Sequence, residues 1–299
     1  MKALGLASVA ILTLLAVAPA AAADMHVKAP ILKAPPKPIY NWSGFYIGGN
    51  FGYGWGWGDT DFTDSSTSVV TEFRGVPPLS PCLTPGACPA LPAGFGAATA
   101  GGGSGRAAIN GVLGGGQIGY NSQINNWVLG LEADIQATDQ RGSVPLFDPV
   151  NNVLATVNDK MPWFATFRGR VGIAPEPTWL LYMTGGAAVA EIDQAFAVGT
   201  PGGPVATWSA NSTRWGWVVG GGAEAAIENT NWTIKGEFLH MDLGSVGSSM
   251  ATGATTTTLL NFPAAGFSTV VATSTSAAFN TRTTDNIVRV GLNHRLTLR

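Results

Sequence analysis

The chain has 299 residues, of which 11% are charged and 45% hydrophobic, with 40 glycines and a formal net charge of −2. So low a charged fraction sets it apart from ordinary soluble domains, where about a quarter of residues are charged. A net charge this small gives no reason to expect a nucleic-acid partner.

The N-terminus reads as an export signal over residues 1–23. Met1-Lys2 precedes an apolar run from Ala3 to Val17, then Pro19 and alanines up to Ala23. The run is short for a spanning helix, which needs about 20 apolar residues. Residues 24–40, "DMHVKAPILKAPPKPIY", have no hydrophobic period and read as a Pro-rich periplasmic tether. That leaves 41–299 as one domain. It holds no charge-free apolar run of about 18 residues, so a bundle of membrane helices is excluded.

From there the signal is period two. Alternation marks eight strands at about 43–55, 107–121, 126–138, 159–174, 178–193, 212–227, 231–243 and 283–298. In the fourth, Trp163, Ala165, Phe167, Val171 and Ile173 fall on one face, with Arg168 and Arg170 on the other. Three connections are tight (122–125, 175–177, 228–230) and four are long (56–106, 139–158, 194–211, 244–282). An even strand number with short turns at one end and long loops at the other describes an eight-stranded antiparallel transmembrane β-barrel, all-β, in the outer membrane. Closure also removes the sheet edges that lipid could not satisfy.

The tryptophans point the same way. Trp127, Trp179 and Trp232 each open a strand after a tight turn, 52 and 53 residues apart, and Trp42 precedes the first strand. Trp55, Trp57, Trp163, Trp215 and Trp217 fall at the opposite strand ends. Two sets of this kind are expected to form interfacial girdles. The parity opposite the apolar face carries Glu132, Asp134, Arg168, Arg170, Glu224, Lys235, Glu237 and Arg289. An arginine facing lipid at mid-depth costs about 2–4 kcal/mol, so these charges are expected inside. An eight-stranded barrel is just wide enough for its side chains to fill, and a salt-bridged plug follows. Arg168 and Arg170 are expected to pair with Glu132, Asp134 or Glu237.

At this point the chain resembles a known family. "ILKAPPKPIYNWSGFYIGGNFGYGW", "WLLYMTGGAAVAEI" and "NIVRVGLNHRL" look like the small outer-membrane barrels of alphaproteobacteria, the immunogenic or porin-family surface proteins. The resemblance implies a surface or envelope-structural role with little solute passage. The chain departs from that pattern in its long first connection and in its "LTLR" ending, where the family usually places an aromatic.

Cys82 and Cys88, in "SPCLTPGACP", are expected to form a disulfide. The exported compartment permits oxidation, and the prolines and Gly86 favour a turn between them. The fourth long connection, poor in charge, is expected to project as a hairpin with Leu259, Phe262 and Phe267 near its tip. Such residues suit a contact surface, so outer-membrane lipid and extracellular protein or host contacts through the loops are the expected partners. Gly114-x-Gly116-x-x-Gly119 matches a dinucleotide fingerprint as text but leads into a turn and a strand, where that motif needs a helix. His26, His240 and His294 have no metal-ligand spacing, and no Ser lies in a nucleophile elbow. Neither a cofactor, a metal nor a catalytic residue is therefore expected. Two alternatives stand beside the non-enzymatic surface barrel: a small diffusion porin, and a lipid-acting barrel enzyme hinted at by His240 with Asp242.

Overall fold

Eight antiparallel strands close into a barrel in chain order: β1 (Gly44–Gly75), β2 (Ala98–Ile124), β3 (Trp127–Asp148), β4 (Val153–Glu176), β5 (Trp179–Gly199), β6 (Val205–Ala226), β7 (Trp232–Phe262) and β8 (Phe267–Arg295). The structure, a computed structural model, describes residues 40–75, 98–199, 201–203, 205–262 and 267–296, with side chains for all of these except 66–75, 98 and 251–275. The expected signal segment and nearly all of the tether lie outside the described residues. So do Cys82 and Cys88, and the side chains of Leu259, Phe262 and Phe267.

Closure follows from pairing β1 with β8, from Tyr46↔Arg295 outward. At the short-turn end the chain reverses tightly. Ile124 pairs with Trp127 around Asn125, whose φ of 56° is the left-handed conformation that asparagine tolerates in a hairpin turn. Asn229, at φ 60°, serves the β6–β7 turn.

The strands are longer than the alternation alone suggests, and the long connections are largely hairpin. The stretch 139–158 is strand except at its tip near 149–152. The reason is an inversion of pattern. Within the lower half of the barrel the outward residues are apolar, and the charged residues point inward between apolar layers. Beyond Trp57, Trp163 and Trp215 the inward residues Phe62, Val144, Leu146, Val157 and Phe196 are buried and apolar, whereas Asp59, Arg141 and Asn158 face outward. A strand read for an apolar exterior therefore fades where its exterior turns polar.

One wall is incomplete. β6 and β7 pair only from Trp217↔Asp242 to Ala226↔Thr233, although both strands continue outward. They part at Gly244, which has a φ of 68° and donates its N–H to Asp242 Oδ1 (2.8 Å). A glycine takes this left-handed conformation without the Cβ penalty other residues meet.

At the outer rim Asp148 ends β3 and accepts the N–H groups of Val150 (2.8 Å) and Asn151 (3.1 Å), fixing its own turn. The Asn151 amide donates to Asp64 Oδ2 of β1 at 2.9 Å. Burial, with the Asp148 carboxylate beside it, pushes the Asp64 carboxyl up to about 6. The folded state thus favours protonated Asp64. Its contribution is complete below the ordinary aspartate range and is lost as pH rises through about 6. Hydrogen exchange at 149–152, corrected for intrinsic rate, is expected to speed up between pH 5 and pH 7.5. Asp64→Asn should remove that step; an unchanged step would assign it elsewhere.

Candidate functional site in the barrel interior

The inward face of β4 lays out the interior in order. From the short-turn end it reads Ala174, Gly172, Arg170, Arg168, Thr166 and Phe164, then Met161, Asp159, Val157, Ala155 and Val153. Apolar and polar layers alternate along the barrel axis.

At the short-turn mouth Trp42, Val128, Ala174, Leu180 and Tyr182 form a buried apolar cluster, with Tyr40 and Ala226 packed against it. This corrects the expectation for Trp42. It is 3% exposed and lies inside the mouth, with its backbone N–H given to Gln123 Oε1 (2.8 Å), not on the outer girdle. It precedes the first ladder pair and so escapes the strand's alternation. The other expected girdle residues lie outside. Trp127, Trp179 and Trp232 are exposed at one end and Trp215 and Trp217 at the other, while Trp163 is half-buried and donates to Glu191 Oε2 (2.5 Å).

Above the mouth lie the charges. Four carboxylates, Glu132, Asp134, Glu224 and Glu237, are buried with four cations, Arg168, Arg170, Lys235 and Arg289. Glu132 faces Arg168 directly across the β3–β4 ladder. Arg168 gives Nη2 to Glu132 (2.5 Å) and to Asp134 (2.8 Å), and Nη1 to Glu237 (2.9 Å). Arg289 binds Asp134 and Glu237, the latter through Nε at 2.7 Å. Lys235 donates to both oxygens of Glu132 (3.0 and 3.1 Å). Arg170 leans toward Glu224 (2.9 Å) more closely than toward Glu132 (3.4 Å). Such a set offsets its desolvation only when every member has a partner.

Two tyrosines complete the network, and sequence reasoning passed over both. The phenol of Tyr46 donates to Glu132 (2.6 Å) and that of Tyr182 to Glu237 (3.1 Å). The Arg170 guanidinium lies 5.4 Å from the Tyr46 ring centre and 4.5 Å from that of Tyr182, in cation–π contact with both. Their parity, shared with the charges, was the available signal. Gly119 and Gly222 leave the room: a side chain at Gly222 would meet the Tyr182 hydroxyl at 2.8 Å. The nucleotide-like glycine pattern thus lies within strand β2, where Gly119 accommodates Tyr46.

Outward of the charges comes a second apolar layer that includes Leu113, Phe164, Ile192, Leu239, Met241 and Ile287. A polar layer follows. Arg214 donates to Thr283 Oγ1 (2.9 Å) and Gln194 Oε1 (3.1 Å), and Gln194 donates to Asp159 (2.7 Å). Last is an aromatic stack in which Phe196 lies 4.9 Å from Trp208 and 4.8 Å from Phe279, with Phe62 4.8 Å from Phe279. Back at the short-turn mouth, the cavity bounded by Tyr46, Asn121, Glu224 and Asn293 measures about 10 Å³, less than one water needs comfortably. At the level of Trp217, His240 Nδ1 pairs with Asn286 Oδ1 (2.8 Å) and Asp242 with Arg282 (2.7 Å), so these two residues do not form a relay with each other.

The family model described as "Outer membrane protein beta-barrel domain" matches residues 7–265. The chain is 33% identical over 227 residues to the 31 kDa outer-membrane immunogenic protein of Brucella melitensis, covering 75% of this chain and 81% of that protein. It is 30% identical over 142 residues to the 22 kDa outer membrane protein of Rhizobium leguminosarum bv. viciae, covering 47% and 57%. Among solved structures it is similar to the outer membrane protease OmpT of Escherichia coli, at 11% identity and a TM-score of 0.36 over 84% of this chain and 97% of that one.

Proposed function

Because the chain belongs to the outer membrane protein β-barrel family, we propose that this outer-membrane barrel is a non-enzymatic surface protein with a structural or interaction role, its lumen closed to steady solute flow. The observation that carries the reading is the neutral set of eight charges between two apolar layers. An ion entering such an interior would have to break bonds that compensate buried charge, and would cross apolar layers that offer it no ligands.

The immunogenic naming of the Brucella relative supports a surface role. So do the strands extending beyond the apolar belt, which display polar residues outward. The separate engagements of His240 and Asp242 speak against lipid-directed catalysis at that pair.

Recording from the purified barrel in a planar lipid bilayer tests the proposal. The expected trace has no large, long-lived conductance. A stable open level in the unmodified protein would overturn the closed lumen and make the chain a small diffusion porin.

A further inference from the structure

The outer wall carries a site that the interior does not account for. β3 and β4 are both bulged at one height. Ala137 pairs with Trp163 and Gln140 with Met161, so Thr138 and Asp139 oppose Pro162 alone. On the other side Lys160 pairs with Asp193 and Trp163 with Glu191, so Met161 and Pro162 oppose Ile192 alone. Proline, lacking an N–H, sits where the ladder is already broken. The Thr138 hydroxyl donates to Met161 O and receives the Gln140 N–H, both at 2.9 Å, holding the kink. Bulges bend a strand and re-aim its side chains, often beside functional sites.

Just beyond the kink the wall has a concavity of about 610 Å³, lined among others by Arg141, Asn158, Lys160, Asp193 and Asn211. Four of these form one row across neighbouring strands: Arg141↔Lys160, Lys160↔Asp193 and Asp193↔Asn211. Two cations directly opposite each other repel. Among the described residues the Lys160 ammonium has no ion-pair or hydrogen-bond partner. Among the described residues Arg141 is held only by exposed Asp139 (2.5 Å), and an exposed pair of this kind is weak. Asp193 Oδ1 is buried with no donor among the described residues. The row therefore offers an unused cation and a loosely held guanidinium beside the Asp193 carboxylate. It lies immediately above Trp163 and Trp215, at the edge of the apolar belt.

We propose that this concavity binds the phosphorylated sugar headgroup of an outer-leaflet glycolipid, with Lys160 and Arg141 on the phosphate and Asp193 and Asn211 on sugar hydroxyl or amine groups. A phosphate between Lys160 and Arg141 relieves their repulsion with charge-assisted hydrogen bonds. The acyl chains continue down the apolar belt past the girdle. The inference rests on the outer-membrane location, and holds whether or not the lumen conducts.

The test uses the full purified protein in detergent with a bisphosphorylated diglucosamine lipid, read by native mass spectrometry. Folding of each variant is checked by its heat-dependent gel mobility. Arg141→Ala with Lys160→Ala should weaken binding about tenfold or more, as should removal of the lipid's phosphates. Arg106→Ala, a cation at similar height paired with Asp59 outside the concavity, should leave binding unchanged. Excess inorganic phosphate should fail to displace the lipid. Equal binding by the double variant would overturn the site. So would an equal loss in Arg106→Ala, which would show general surface charge, or displacement by inorganic phosphate, which would make this a soluble-anion site.

Discussion

Glu132→Gln is expected to cost about 3–5 kcal/mol of folding free energy, the usual penalty for leaving a buried charge without its partner. The substitution keeps the side chain's shape and removes only its charge. Glu132 takes hydrogen bonds from Arg168, Lys235 and Tyr46, and Arg289 lies 3.6 Å away. Without it three carboxylates face four cations. Adding Lys235→Met, apolar and of similar length, restores three against three. The double variant should then be more stable than the sum of the two single losses, since contacting residues of one network do not add. Denaturant unfolding in lipid vesicles, followed by tryptophan emission, measures all three. A double variant as unstable as the sum would mean that the charges act independently and that balance is not what holds them.

Gly52→Val is expected to be nearly as damaging, for a steric reason. The inward positions of β1 from Gly52 to Gly58 are glycines, and the long side chains of other strands lie directly against their backbone. A Cβ at Gly52 would stand 2.7 Å from Arg289 Cβ and 2.9 Å from its Cα, so relief requires moving the backbone of β8. Overpacking alone costs about 1–3 kcal/mol. Here it also shifts Arg289 from Asp134 and Glu237, which adds part of the unpaired-charge penalty. Gly116→Val is the matched control. It points outward, and a Cβ there would find its nearest neighbour at 3.8 Å. The folded fraction after refolding into vesicles should drop sharply for Gly52→Val and stay near native for Gly116→Val. Equal behaviour of the two would count against the steric account.

These residues also show how far the sequence could be read. Strand number, order and inward parity were legible because lipid imposes a strict rule on the outer face: Phe167, Val171 and Ile173 could not share it with Arg168 and Arg170. The tight turns were legible because Trp127, Trp179 and Trp232 mark them. What lay beyond the lipid was not. There the outward face carries charges such as Asp59 and Arg141 while Phe62, Phe196 and Phe279 turn inward, so the parity rule of the lipid belt no longer reads, and the outer halves of the strands passed for loop. Trp42 was misplaced because a tryptophan beside a strand end suits a mouth cluster as well as a girdle. The row from Arg141 to Asn211 was invisible because two bulges set its register, and alternation counts cannot detect an extra residue.

The parting of β6 from β7 at Gly244 bears on how such a protein changes over generations. A closed cylinder accepts only those strand offsets that return the last strand to the first, so adding or losing one residue in the ring forces every neighbour to adjust. Above Trp217 and Asp242 the wall is not joined at this seam, and that constraint lapses along it. Residues can be gained or lost in the outer reaches of β6 or of the β7–β8 hairpin while the ring in the lipid keeps its registration. The region most visible from outside the cell is thereby free to vary in length and sequence without renegotiating the barrel that anchors it.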